Sequence, residues 1–316
     1  MVKFFIIWSV FSAKSSIAAL YHARGVVLAW AAIPARKILH YGHMPTLLRL
    51  VCIFSTLGLG GRRYRLQSIV ATENFRCLTG KTARINMAWI TARRRLLEEG
   101  ATRGQNRALL KQIQTCSASL DSVVAPLHHD NIPVILAPMH SVSDVLAAMV
   151  GAGITPGKAS VVISSSAERF NEKMRKLGGL QLTYCSIHQQ NKALASNLVS
   201  LIIDVAEGRQ NMIIFPDVTP DFTLQAEGMR EAKLSCALFG RAARLHQGVV
   251  RLSKMINAQV VFYNLFYDEG LKIRIHPPVK ADNVASVMPE FIENTIREYP
   301  MDWLLWHSHS LYFINH

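Results

Sequence analysis

Acidic residues are scarce in this chain. Its 316 residues include 21 Asp and Glu against 35 Lys and Arg, for a formal net charge of +14. So much positive charge predicts an anionic partner: nucleic acid, an anionic bilayer or an acidic protein. Cysteine is sparse as well. Cys52, Cys77, Cys116, Cys185 and Cys236 are scattered and odd in number, and no spacing forms a zinc knuckle or a disulfide framework. They read as reduced, mostly structural thiols of a cytosolic compartment. A long uninterrupted apolar run is also missing. Residues 4–13 are apolar behind Lys3, 16–34 are broken by His22 and Arg24, and 46–60 carry Arg49. None reaches the roughly 18 residues of a clean spanning helix. Lys3 before a short apolar run would fit a signal peptide, but the cysteines and the basic body favour the cytosol. Amphipathic or monotopic helices at a membrane interface fit better, with Trp8, Tyr21 and Trp30 as interfacial aromatics. The plainer alternative is a helical subdomain packed on the core.

Several motifs are absent too. The chain has no phosphate-cradling glycine loop, no dinucleotide fingerprint and no Gly-x-Ser-x-Gly elbow. It has no internal repeat, and no groove-reading motif or aromatic–basic platform supports a nucleic-acid partner. No metal or resident cofactor is expected. His128-His129-Asp130 with His140 matches no standard ligand spacing, and reads as a helix-end cluster. His307 and His309 read as structural.

What is present is an alternation of strands and helices. The best boundary is the Gly- and Arg-rich stretch 58–65, which divides a membrane-associated apolar helical region, 1–61, from a main body, 62–316. Helices are predicted at 67–99, 105–128, 142–150, 167–177, 190–206, 241–256 and 287–298. Strands are predicted at 132–137, 160–164, 211–215, 259–265 and 271–276. This pattern implies an α/β fold with a central mixed or largely parallel sheet flanked by helices.

Two segments carry chemistry. Residues 133–144, Pro-Val-Ile-Leu-Ala-Pro-Met-His-Ser-Val-Ser-Asp, form an apolar run that ends in His140, with Asp144 four positions on. A strand-to-helix junction puts such side chains at the carboxyl edge of a sheet, where open α/β folds place their sites. A His beside a carboxylate is suited to general-base work. The bland alternative is that Ser143 or Asp144 merely caps the helix and His140 is a satisfied half-buried residue. The second segment runs from the apolar strand ending in Pro216-Asp217 to Phe239-Gly240-Arg241. The latter reads as a turn feeding a helix, whose amides would offer an anion or oxyanion site, with Arg241 and Arg244 as cationic forks on nearly one face. The run Arg93-Arg94-Arg95 reads as a solvated helix face or a contact for anionic headgroups.

Over roughly residues 60–310 the chain resembles the lysophospholipid acyltransferase superfamily, in particular its lipid A biosynthesis (late) acyltransferase branch. Five segments carry the resemblance in order: Glu73-Asn74-Phe75-Arg76-Cys77-Leu78; the strand ending in His140; Phe215-Pro216-Asp217; Phe239-Gly240-Arg241 with Gly248 and Leu252; and Arg297 to Pro300 with Trp303, Trp306 and His307. Two departures stand out. Three residues rather than four separate His140 from Asp144, the family position holding Val145, and Val218 replaces the family's Gln. The resemblance implies a membrane-associated acyltransferase on the cytoplasmic face of a bacterial inner membrane. The donor would be a thioester of acyl carrier protein or coenzyme A, and the acceptor a hydroxyl of an anionic (glyco)lipid. His140 would be the base and Asp144 its orienting partner, with Asp217 the next carboxylate in line for that task. Asp217, Phe239, Gly240, Arg241 and Arg244 would bind substrate. Two alternatives stay open: an atypical acyl or aminoacyl transferase served by a dedicated carrier protein, and a non-catalytic membrane-bound member of the fold.

Overall fold

A computed structural model of the chain describes residues 33–58, 61–163, 181–186, 194–218 and 233–306. The apolar stretch 4–13, nearly all of 16–34, the helix expected at 167–177, and His307 and His309 lie outside the described residues. Helices α1 (Met44–Thr56), α2 (Arg62–Thr79), α3 (Met87–Ala101) and α4 (Arg107–His129) precede the first strand. Then come β1 (Val134–Pro138), α5 (Asp144–Ala152), β2 (Lys158–Ile163), β3 (Gln181–Ser186), α6 (Leu194–Ala206) and β4 (Asn211–Ile213). The chain ends in β5 (Lys233–Leu238), β6 (Arg241–His246), α7 (Gly248–Met255), β7 (Gln259–Tyr267), β8 (Leu271–Ile275), β9 (Val279–Lys280) and α8 (Val284–Glu298).

The central sheet has the order β3-β2-β4-β1-β7-β8, with β9 also on β7. The first five of these strands are parallel, and β8 and β9 run antiparallel to β7. The fold is therefore α/β, with a mixed, mostly parallel sheet flanked by helices. Period-two alternation divides the core between the faces. Ile135 and Ala137 enter one apolar layer with α2, α6, α7 and α8, whereas Val134 and Leu136 enter the other with α1, α4 and α5. Gly151 lets α5 lie close on the sheet: a Cβ there would meet the Tyr263 hydroxyl at 2.9 Å and methyls of Ile213 and Leu136 at 3.0 Å.

Two expected helices are divided in the structure. The stretch 67–99 breaks after Thr79 because Gly80 takes a left-handed cap (φ +69°), and α3 restarts where the Asn86 side chain accepts from Trp89 N–H. The stretch 241–256 is not one helix. Phe239 and Gly240 have φ of +53° and +72°, the signature of a tight two-residue hairpin turn, and the chain returns as β6 paired with β5. Alternation in β6 confirms a strand: Ala243 and Leu245 are buried, Ala242 and Arg244 exposed. Strands β3, β5 and β9 carried no sequence expectation.

Among the described residues no helix is long and apolar enough to cross a membrane. The exposed large apolar side chains are nevertheless concentrated. Ile33, Ile38, Tyr41, Leu50, Ile53, Phe54, Leu57, Leu66, Ile69 and Val70 all lie in or beside α1 and α2, against only Val199, Ile203, Met255 and Met301 elsewhere among the described residues.

Candidate active site

β1 and β4 are parallel neighbours, with Leu136 opposite Ile213. His140 lies four residues beyond Leu136, and Asp217 four residues beyond Ile213. The register therefore carries both to the same point at the carboxyl edge of the sheet. There the imidazole Nδ1 lies 2.8 Å from Asp217 Oδ1, and the backbone N–H of His140 donates to Asp217 Oδ2 at 2.9 Å. A carboxylate only accepts, so Nδ1 carries the proton and Nε2 is left as the basic nitrogen. Nε2 has no hydrogen-bond partner among the described residues, and the side chain keeps 17% of its surface open. The Phe215 ring packs on the imidazole, centroids 4.4 Å apart. Burial is the largest single influence on this imidazole and disfavours its charged form. The charge and hydrogen bond of Asp217, with the charge of Asp144, outweigh burial and an opposing Arg94, and hold the His140 pKa above its ordinary value.

The expected orienting partner is corrected by this geometry: Asp217, 77 positions away in sequence, holds the ring, and Asp144 does not. Asp144 opens α5 and faces Arg94, its Oδ1 2.5 Å from the guanidinium. The same Arg94 binds Glu98 at 2.7 Å, and Glu98 accepts from the Ser143 hydroxyl at 2.8 Å. Burial, helped by the charge of Asp144, pushes the Glu98 carboxyl up against the opposing pull of Arg94 and the Ser143 hydroxyl. The capping alternative was right about Ser143, which caps α5 by accepting from Leu146 N–H. Ser141 and Ser143 are fully buried, and Ser141 donates to the Leu265 carbonyl, so neither is placed as a nucleophile. Arg93-Arg94-Arg95 is not a solvated face either. Arg93 is buried against Asp302 at 2.7 Å, Arg94 makes the pairs just described, and only Arg95 is exposed.

Residues 299–306, after α8, lock the His140 loop in place. Leu304 N–H donates to the His140 carbonyl, Val142 N–H donates to the Asp302 carbonyl, and Ser141 bridges Trp303. The Trp303 indole N–H donates to Asp217 Oδ2 at 3.0 Å. Asn74 of α2 ties down the segment's end through the Trp306 carbonyl at 2.7 Å. Val142 sits at φ +60°, a conformation costly for a β-branched residue, and is held there fully buried. Neither Trp303 nor Asp302 was foreseen as part of the site. The available signal was the pair of tryptophans close behind Pro300 in the closing segment.

The second expected site is differently built. Gly240 is the exposed corner of the β5–β6 hairpin, so the helix-start amides expected there do not exist. Phe239 N–H donates to Glu293 of α8 at 2.6 Å, and the Phe239 ring lies under Arg297, 4.7 Å from its guanidinium carbon. Arg241 donates to the Cys77 carbonyl at 3.1 Å. Arg241 and Arg244, three apart on a strand, belong to opposite faces and not to one. His128 binds Asn211 at the opposite, amino edge of the sheet, and no group of three metal-ligating side chains gathers among the described residues. All five cysteines are unpaired, and burial pushes the Cys116 and Cys236 thiols up to about 11. No protein-family model matches the chain, and no curated protein matches it significantly.

Proposed function

We propose that this protein is an acyltransferase working at a membrane surface, which transfers an acyl group from a carrier-protein or coenzyme A thioester to a hydroxyl of an anionic (glyco)lipid. The observation that carries this reading is the His140–Asp217 dyad at the carboxyl edge of the sheet, with Nε2 open and unpartnered among the described residues. In the reaction Nε2 takes the hydroxyl proton as the oxygen attacks the thioester carbonyl. Asp217 stabilises the imidazolium that forms. Collapse of the tetrahedral adduct breaks the C–S bond, and the imidazolium returns its proton to the departing thiolate. No acyl-enzyme is needed.

The membrane part rests on the apolar surface of α1 and α2. Its exposed side chains are interleaved with Arg36, Lys37, Arg49, Arg62, Arg63 and Arg65, a composition that suits the boundary of an anionic bilayer. The remaining positive charge suits an acidic carrier protein. The cytoplasmic face of a bacterial inner membrane would bring the two together. The test follows lipids by mass spectrometry in cells with and without the protein, then thiol release from acyl-thioester by purified protein on anionic vesicles. A lipid gaining one acyl group, lost in His140→Ala, is the expected result. The rate should fall as pH drops through an apparent pKa above the ordinary imidazole value of about 6.5, because only neutral His140 can act as base. Wild-type turnover by His140→Ala would overturn the proposal.

A further inference from the structure

The dyad's carboxylate has a third partner that the reaction just described does not require. Asp217 is fully buried. Its Oδ1 faces Nδ1 of His140, while its Oδ2 accepts both the His140 backbone N–H and the Trp303 indole N–H, at 2.9 and 3.0 Å. The backbone donor comes with the strand. The indole is delivered from a segment more than eighty residues further on, and its ring is itself 1% exposed and wedged edge-on against Trp306, centroids 4.9 Å apart. The indole both fills that buried space and presents an N–H donor to the carboxylate, which a purely apolar ring would not.

We infer that Trp303 tunes the basicity of His140. By donating to Oδ2 it draws negative charge away from Oδ1, so that the imidazolium holds its proton less tightly and returns it more readily. A buried carboxylate with fewer donors leans harder on the cation that remains. Trp303 is a positioning residue, since it reaches the reacting atoms only through Asp217. The inference rests on the reading of His140 as a base. The other charged groups facing the imidazole are Asp144 of α5 and Arg94 of α3, the latter shared with Glu98, and none of them contacts Trp303 in the hydrogen bonds described.

The test is an NMR titration of full-length protein labelled in histidine and tryptophan, with His140→Gln to assign the His140 signal. In Trp303→Phe the His140 pKa should rise by about half a unit to one unit, the range expected when a carboxylate loses one charge-assisted donor. Trp306→Phe is the control. It removes the same indole bulk from the same cluster, but its N–H goes to the Pro300 carbonyl, so His140 should titrate as in wild type. Should Trp303→Phe fail to fold, the wild-type protein still decides, because the Trp303 indole proton should shift in step with His140. A His140 pKa that is unmoved or lowered in Trp303→Phe, an equal shift in both variants, or a flat indole signal each overturns the inference. The titration needs no substrate. Loss of the acyltransferase proposal would leave its result standing, and a missing shift with acyl transfer intact would remove the role of Trp303 alone.

Discussion

Replacing Asp217 with Asn tests the dyad more sharply than removing the histidine, because the amide must choose between two bad orientations. With its NH2 toward Oδ2, it would face two donors, His140 N–H and Trp303 Nε1–H, both buried. Leaving buried donors unsatisfied costs about 1–3 kcal/mol each. With its oxygen toward Oδ2, both donors stay paired, and only their charge-assisted character is lost, about 1–2 kcal/mol in all. The second orientation therefore wins, and the variant should fold. Its NH2 then points at Nδ1, which must accept, so the imidazole proton moves to Nε2 and blocks the nitrogen that should take the hydroxyl proton. The rate should fall by about 10²–10⁴, the usual contribution of a general base. Nitrogen chemical shifts of labelled histidine read the tautomer, thiol release reads the rate, and denaturant unfolding reads the stability. An Asp217→Asn protein that keeps its Nδ1 proton, or that transfers acyl groups within about tenfold of wild type, would refute the reasoning.

Asp144→Asn should be much milder, because Asp144 pairs with Arg94 and not with the imidazole. It should lower the His140 pKa slightly, by removing a charge that raises it, and a rate loss as large as that of Asp217→Asn would count against the assigned geometry. Arg93→Met leaves Asp302 buried and unpaired, and should cost about 3–5 kcal/mol in chemical denaturation. A smaller loss than about 1 kcal/mol would show that water reaches that pair. Replacing Leu50, Ile53, Phe54 and Leu57 together by Ser should release the full-length protein from anionic vesicles in flotation without changing its melting temperature, since these side chains are already exposed. Continued flotation at high salt would place the contact elsewhere.

Much of this architecture was legible in local sequence. The apolar runs before His140 and before Asp217 give β1 and β4 because short, β-branched-rich segments bounded by proline and polar residues bury well as strands. Ser143 announced the start of α5. Gly80 and Asn86 carried a stop and a start inside what the pattern of apolar residues alone joined into one helix. The turn at Phe239-Gly240 was legible, but the element after it was not: Arg-Ala-Ala-Arg-Leu-His fits a helix face about as well as a strand, and only pairing with β5 makes it one. The partner of His140 could not be read locally at all. A carboxylate four positions on is the nearest in sequence, but α5 turns it toward Arg94, while sheet register brings Asp217 from 77 positions away. The sequence by itself determined the α/β pattern and the placing of a histidine at a strand end, since both follow from short-range periodicity. Which carboxylate meets it, and which tryptophan stands behind that carboxylate, was decided by the order of strands in the sheet and the return of the closing segment, contacts whose energy exists only once distant parts of the chain are packed together.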